Sequence, residues 1–112
     1  MRYALFVHDK SDSLDPLTDE EKQRVYDEYV AVSELPGLVG YRLQPPATAT
    51  TVRISNGKPL TASGPPGESE LSLIGFYLLE TDDREQALEV AARIPAVALG
   101  GAVQVQPLVS EE

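Results

Sequence analysis

The stretch LSLIGFYLLETDDREQALEVAARIP, residues 71–95, decides the fold. Its first part, residues 71–80, is strongly apolar, which predicts a strand inside a sheet. Thr81, Asp82 and Asp83 then supply helix-capping side chains, and Pro95 limits the helix that follows. The apolar stripe of this helix consists of Ala87, Leu88, Ala91 and Ala92. Because the alanines are small, we expect the helix to sit close to a sheet.

The N-terminal part of the chain has the same strand and helix order. Residues 2–8, RYALFVH, alternate in polarity and predict a strand. Thr18 and Glu21 have the spacing of a capping box, which predicts a helix over residues 18–34 that ends before Pro36. Its apolar stripe is expected to include Val25, Tyr26, Tyr29, Val30 and Ser33.

The remaining strands complete one domain over residues 1–112. Residues 38–44 predict a strand, and residues 51–54 lead through an Asn-Gly turn into a hairpin. Residues 102–108, AVQVQPL, alternate and predict the last strand, after a turn at ALGG. The order is βαββαβ with an extra hairpin. Two helices on one face of an antiparallel sheet make this a ferredoxin-like α+β fold.

Two helices leave the second face of such a sheet uncovered. That face is expected to carry residues such as Phe6 or Tyr77, and an exposed apolar sheet favours association. We therefore expect a homodimer with paired sheets. A pocket would lie between the sheet and the partner, or at the open end of the sheet.

Composition limits the classes of function. Nine basic and eighteen acidic residues give a net charge of −9, which opposes binding to nucleic acid and to anionic membranes. Cysteine is absent and His8 is the one histidine, so a Cys/His zinc site within one subunit is excluded. A nucleotide-binding loop pattern is also missing, so no cofactor is expected. Without a signal-peptide pattern or an apolar stretch of roughly 20 residues, a cytoplasmic protein is expected.

Five motifs in order resemble the YCII-related family of the DGPF type. They are LQPPATATTVRISNGKPL, SGPPGESE, GFYLLE, DREQALEVAARIPA and VQVQPL, and the resemblance covers residues 38–108. It implies a dimeric α+β barrel and a bacterial, cytoplasmic protein. The wider superfamily includes a dehydrochlorinase and is similar in fold to muconolactone isomerases. A His–Asp pair is the proposed catalytic feature of some members, and members of the DGPF branch often accompany extracytoplasmic-function sigma factors.

The name-giving motif of that family departs from its usual form in this chain. The usual motif is Asp-Gly-Pro-Phe-Ala-Glu-Thr-Lys, whereas residues 63–70 are Ser-Gly-Pro-Pro-Gly-Glu-Ser-Glu. Ser63 replaces the acid and Glu70 replaces the lysine. Gln104 and Gln106 stand where the family usually carries Glu and Arg. If the residues at those positions act as acids or bases in the family, this member has lost that function or performs it with other groups.

His8 and Glu68 are the candidate catalytic residues. His8 ends the first strand, and imidazole is the side chain that exchanges protons near neutral pH; the alternative is a partly exposed histidine with no role. Neighbouring strand residues face opposite sides, so Asp9 does not readily orient His8. Glu68, retained from the family motif, could accept a proton or a ligand hydroxyl, or it could cap a turn.

Four further residues are candidates for binding a ligand. Arg42 could hold a carboxylate, or form a surface salt bridge. Gln104 and Gln106 share one face of the last strand, where they could orient a ligand or pair across a dimer. Ser63 lies at the rim of the motif loop and has no partner histidine at a recognisable spacing.

Two function classes remain open. The first is a small-molecule-binding domain, with cofactor-free proton transfer as the chemistry: isomerisation, elimination as in a dehydrochlorinase, or cyclisation. The second is a non-catalytic interaction or regulatory module, such as a partner of an extracytoplasmic-function sigma factor. They differ in whether His8 and Glu68 meet at a shared cavity.

Overall fold

The computed structural model describes residues 1–10, 12–67 and 69–110. Within these ranges the strands are β1 (Arg2–Asp9), β2 (Leu38–Arg42), β3 (Thr50–Ser55), β4 (Lys58–Ser63), β5 (Ser72–Glu80) and β6 (Ala102–Pro107). The helices are α1 (Asp19–Ser33), α2 (Arg84–Arg93) and α3 (Pro95–Ala98), and a short 3-10 turn covers Pro46–Thr48.

Four strands form the main sheet in the order β2-β5-β1-β6, and all neighbours are antiparallel. With the helices connecting β1 to β2 and β5 to β6, this is the ferredoxin-like α+β arrangement. The fold class is therefore confirmed. We call the side of the sheet that packs on the helices the helix face, and the opposite side the open face.

The helices begin where their capping residues predict. Thr18 Oγ1 accepts from the Glu21 backbone N–H at 3.1 Å, and Glu21 Oε1 accepts from the Thr18 N–H at 3.0 Å. Asp83 caps α2 by accepting from the Glu85 N–H at 3.0 Å. Between α2 and the predicted turn at ALGG, Pro95 starts the short helix α3, because proline is tolerated at the first helical position. The turn itself follows at residues 99–100.

The core lies between the helix face and the three helices. Its largest fully buried side chains are Leu5, Leu79, Ile94, Val7 and Val32. The predicted stripes were too wide at their edges, since Tyr26, Val30 and Ala92 are exposed in this chain. Three helices of limited length cover the sheet, so only the centre of each stripe is buried.

The expectation that Tyr77 lies on the uncovered face was wrong. Tyr77 pairs with Leu5 on one side and with Gly40 on the other, which places it on the helix face. A β-bulge in β5 contributes to this register: Gly75 pairs with Val7, whereas Leu73 pairs with His8, so Ile74 is extra. Ile74 packs against the core.

Aromatic side chains lie on the open face, and Phe6 is one of them, as expected. Phe6 lies opposite Phe76, and Phe76 lies opposite Tyr41, with ring centroids 6.5 Å and 5.2 Å apart. Val39 and Tyr41 are each 52% exposed. None of the described residues packs over this face as a layer, so it is exposed to solvent. Among them, no helix is both long and apolar enough to cross a membrane.

The hairpin of β3 and β4 forms a separate two-stranded sheet. Asn56 and Gly57 make its turn with φ of 52° and 76°, the left-handed conformations that an Asn-Gly hairpin turn requires. The described chain is flat, with extents of 47 × 46 × 18 Å. The extra hairpin is thus confirmed, and it stands outside the main sheet.

Candidate functional site

A buried carboxylate lies at the end of β1, on the helix face. Asp9 is 7% exposed, and it follows the buried residues Tyr3, Leu5 and Val7 at alternate positions of the strand. Its Oδ1 accepts from the Lys10 backbone N–H at 2.8 Å, and its Oδ2 accepts from Ser13 Oγ at 2.9 Å. These two hydrogen bonds leave each carboxylate oxygen with capacity for a further donor.

The Tyr29 hydroxyl on α1 is buried without a hydrogen-bond partner among the described residues. The pKa of Tyr29 is raised to about 12, first by burial and then by the neighbouring Asp9 carboxylate. The backbone N–H of Ala96 faces the Tyr29 hydroxyl and lowers this pKa in part. It makes no hydrogen bond of ordinary geometry to the hydroxyl. Tyr29 is therefore a neutral hydroxyl over the physiological pH range.

Tyr77 and Arg42 extend this polar group toward solvent. Burial raises the pKa of Tyr77, and the Arg42 guanidinium lowers it in part. Arg42 is exposed at the end of β2, where it lies opposite Gly75 on the helix face. We call Asp9, Tyr29, Tyr77 and Arg42 the Asp9–Tyr29 cluster. It has a buried anionic end and an exposed cationic end.

Two glycines leave bare backbone on the sheet beside the cluster. Gly40 lies under the Tyr77 ring, and Gly75 lies between Val7 and Arg42 in the strand pairing. A Cβ on Gly75 would be 2.7 Å from the Tyr41 carbonyl oxygen. The missing side chain at Gly40 leaves the space that the Tyr77 ring fills, and the missing side chain at Gly75 lets the Tyr41 carbonyl lie close to β5.

The motif loop ends at the same edge of the sheet. Ser72, the first residue of β5, pairs with Asp9. The loop that carries the Gly-Pro-Pro-Gly sequence therefore leads directly to the residue opposite the buried carboxylate. Glu68, one of the two predicted catalytic residues, lies in this loop but outside the described residues.

His8, the other predicted catalytic residue, is placed on the open face. It is half-buried and lies opposite Leu73 and Ala102. Asp9 follows it on the helix face, so the sheet separates the two side chains. The described structure does not form a His8–Asp9 pair.

The predicted ligand-binding residues are dispersed. Ser63 is exposed at the end of β4, where it pairs with Thr50. Gln104 and Gln106 lie on the open face and are joined by a 3.0 Å hydrogen bond from Gln104 Nε2 to Gln106 Oε1. Of the four predicted ligand-binding residues, Arg42 is the one that lies in the Asp9–Tyr29 cluster.

Sequence reasoning missed Asp9, Tyr29 and Tyr77 as site residues. Tyr29 was expected only as part of the apolar stripe of its helix, and Tyr77 was placed on the wrong face. Asp9 did carry a signal. It continues the alternation of Tyr3, Leu5 and Val7 at a position where the pattern calls for an apolar residue.

Other features offer less chemistry. A groove of about 330 Å³ between the helices is lined by Val32, Ile94 and Pro95, with exposed Glu28 and Arg93 at its rim. Within residues 1–10, 12–67 and 69–110, no cluster of three or more His, Asp or Glu side chains is arranged to hold a metal ion.

Comparison with known proteins gives a consistent result. The chain matches the YCII-related domain over residues 1–110. It is also 31% identical, over 114 aligned positions, to an uncharacterised protein of Rhizobium meliloti (strain 1021). That alignment covers 96% of this chain and 92% of the relative. The match extends over the first strand and helix, which the sequence resemblance had left out.

Proposed function

The chain belongs to the YCII-related family, and we propose that this member binds a small molecule at the Asp9–Tyr29 cluster. The observation that carries this proposal is the buried Tyr29 hydroxyl, which has no hydrogen-bond partner among the described residues. A buried polar group with no hydrogen bond costs about 1–3 kcal/mol of stability. A ligand that accepts a hydrogen bond from Tyr29 would recover that cost, which explains why a tyrosine occupies the position.

The cluster selects for a ligand with two different polar groups. The exposed Arg42 guanidinium attracts an anion, and a planar carboxylate fits it best. Deeper in the cluster, the Tyr29 hydroxyl can donate to a ligand oxygen, while Asp9 accepts from a hydroxyl. A small hydroxycarboxylic acid supplies all of these groups. The ring of Tyr77 would form an apolar wall beside it.

The chemistry that suits this arrangement is cofactor-free proton transfer. Asp9 is the base, since its carboxylate is buried and retains free lone pairs. For a ligand with a carbonyl at this depth, Asp9 takes the proton from the carbon next to the carbonyl, and Tyr29 donates to the carbonyl oxygen, where the negative charge of the resulting enolate develops. Isomerisation, elimination and cyclisation all use this step. In this proposal Asp9 takes the role that the sequence suggested for His8.

The test is ligand-induced thermal stabilisation with 4-hydroxybenzoate and lactate as probes. We expect at least one of them to raise the Tm of the full chain, and Tyr29→Phe and Asp9→Asn each to reduce that rise. Tyr26→Phe is the matched control, because Tyr26 lies exposed on the same helix. Stabilisation that survives both cluster substitutions would place the ligand elsewhere. If neither acid raises the Tm, the proposed ligand class is wrong.

A second candidate function rests on the open face. Its exposed Val39 and Tyr41 favour association, and we propose that two copies of the chain pair through this face. The same face could serve a non-catalytic module that binds another protein, such as a sigma factor. Sedimentation of the purified chain separates these cases, because homodimers form without any added protein and a module for another partner stays monomeric.

A further inference from the structure

We propose that Ser13 is a positioning residue, whose hydroxyl holds the Asp9 carboxylate in place on the helix face, beside Tyr29. The inference deepens the proposed function and rests on it, because it concerns the residue assigned there as the base. Ser13 lies four residues after Asp9, in the segment between β1 and α1. We call this segment, residues 10–18, the β1–α1 loop. Ser13 acts on the site through Asp9 and is assigned no contact with the ligand.

Asp9 occupies a position where the strand alone does not fix its side chain. It is the last residue of β1 and pairs with Ser72 of β5, whereas the pairing of β1 with β6 ends one residue earlier, at His8. Beyond Asp9 the chain leaves the sheet, and Lys10 is exposed. A carboxylate at such a position gains hydration by turning toward water. Asp9 is nevertheless buried, so further contacts keep it on the helix face.

Two hydrogen bonds hold the carboxylate, and they differ in what they constrain. The Lys10 N–H, 2.8 Å from Asp9 Oδ1, belongs to the next residue and therefore moves with the end of the strand. Ser13 Oγ, 2.9 Å from Asp9 Oδ2, comes from a separate turn of the chain. Among the described residues, Ser13 is the one side chain that donates to Asp9. It therefore anchors the carboxylate from outside the strand.

The β1–α1 loop keeps Ser13 within reach of the carboxylate. The Ser13 N–H donates to the Lys10 carbonyl at 3.3 Å, which closes a turn directly after the strand. A second turn follows, in which the Asp15 N–H donates to the Asp12 carbonyl at 3.1 Å. Ser13 is partly buried, whereas Asp12 and Asp15 are exposed. The loop thus turns the serine toward the protein and its two acidic side chains toward solvent.

A fixed carboxylate matters for the chemistry proposed at this site. A general base acts on a proton that lies within hydrogen-bond distance, and a small displacement of a catalytic group slows the reaction. Ser13 uses one lone pair of Oδ2 and the Lys10 N–H uses one of Oδ1, so both oxygens retain capacity for a ligand. Ser13 therefore orients the base without blocking it.

Tyr29 reports the position of Asp9 without any ligand. Burial is the largest cause of the raised pKa of Tyr29, and the Asp9 charge is the next. Tyr77 and Arg42 also act on this pKa, but the Ser13 hydrogen bond involves neither of them. If the Asp9 carboxylate turns toward solvent, its distance from Tyr29 grows and water screens its charge. The pKa of Tyr29 then falls.

Titration of tyrosinate absorbance in the full chain tests the proposal. We expect Ser13→Ala to lower the pKa of Tyr29 by at least about half of the lowering that Asp9→Asn produces. Ser13→Thr keeps the hydroxyl and should retain the wild-type value. Tyr29→Phe versions of these proteins identify the transition that belongs to Tyr29. Ser33→Ala is the matched control, because it removes an exposed α1 hydroxyl that donates to the Val30 carbonyl, and it should leave the titration unchanged.

The double variant Asp9→Asn, Ser13→Ala separates positioning from a general loosening of the loop. If Ser13 acts through Asp9, its substitution adds no further shift to that of Asp9→Asn alone. A shift of similar size in both backgrounds would overturn the proposal, because Ser13 would then act on Tyr29 by another route. An unchanged titration in Ser13→Ala would overturn it as well.

Ligand-induced stabilisation distinguishes this proposal from the proposed function. With 4-hydroxybenzoate and lactate as probes, Ser13→Ala should lose part of the rise in Tm and Ser13→Thr should keep it. A full rise in Ser13→Ala would contradict its role at the site. If neither acid raises the Tm of the wild type, the proposed function fails, while the titration still decides whether Ser13 positions Asp9. If an acid binds and the titration of Ser13→Ala is unchanged, the site stands and Ser13 does not orient its base.

Discussion

The ring of Tyr77 lies directly on the backbone of Gly40. A Cβ built on Gly40 would be 2.6 Å from Tyr77 Cε1, closer than real side-chain contacts allow. Glycine at this position of β2 therefore gives the tyrosine its place on the helix face. The Tyr77 hydroxyl reaches the neighbourhood of Arg42 and Tyr29 as a consequence.

Gly40→Ala should displace the Tyr77 ring and lower the free energy of unfolding by about 1–3 kcal/mol, the usual cost of inserting a group into a packed site. Urea denaturation measures the change. In a Tyr77→Leu background the same substitution should cost much less, because the smaller side chain can move aside. Equal costs in both backgrounds would mean that Gly40 matters for another reason.

Tyr29→Phe should raise the free energy of unfolding by about 1 kcal/mol, because it removes a buried hydroxyl to which no described residue forms a hydrogen bond. The same denaturation experiment applies, in ligand-free protein. Tyr26→Phe, on the exposed side of the helix, should change stability by less than about 0.5 kcal/mol. A destabilising Tyr29→Phe would indicate that the hydroxyl has a hydrogen-bond partner after all.

Stability should fall at alkaline pH through Tyr29. Its folded pKa of about 12 lies above the ordinary value of 10.0, so the folded state holds this proton more tightly than the unfolded chain. The corresponding stability is complete below pH 10.0 and is lost as the pH rises toward about 12. Unfolding curves across this range should be less pH-dependent in Tyr29→Phe. Tyr77, whose pKa is also raised, should leave a residual slope.

Asp9→Asn should lower the pKa of Tyr29, because the Asp9 charge is one of the causes that raise it. The pKa is measured by titrating the tyrosinate absorbance of Asp9→Asn. The same titration of the double variant Asp9→Asn, Tyr29→Phe identifies the transition that belongs to Tyr29. An unchanged titration would mean that the two side chains lie farther apart than the structure places them.

Val39→Asp tests the proposed pairing of open faces. The substitution puts a charge beside Leu78 and leaves the core untouched, since Val39 is exposed in the single chain. We expect a monomer with an unchanged Tm at high dilution, measured by sedimentation and calorimetry. Retention of the wild-type dimer would remove the open face from the interface.

Local signals in the sequence predicted most of the fold. The capping pairs at Thr18 and Asp83, the Asn56-Gly57 turn and the alternation of β1 depend on neighbouring residues, and the structure contains all of them. The face of Tyr77 could not be predicted in this way. The run in β5 is apolar on both sides, so its orientation depends on pairing with Leu5, which is distant in sequence.

The site was harder to predict, because its members come from four separate elements. Asp9, Tyr29, Arg42 and Tyr77 meet only after β1, α1, β2 and β5 have packed. The family motif drew attention to Glu68 and to the final strand. The buried polar group contains no residue of the final strand, and Glu68 lies outside the described residues. The alternation that ends in Asp9 was the one local indication of this group.

The extra residue Ile74 has a consequence for how this protein can diversify. It divides β5 into two segments whose side-chain alternation is interrupted at the bulge. The segment after Ile74 packs on the core, and the segment before it connects the motif loop to the sheet. Without the bulge, a β5 that kept Ile74 would pair Ile74 with His8 and Leu73 with Asp9, which would exchange the faces of Leu73 and Ser72 and turn that loop away from Asp9. Substitutions in the loop leave the phase intact. The fold can therefore vary the chemistry at the rim while its interior stays the same.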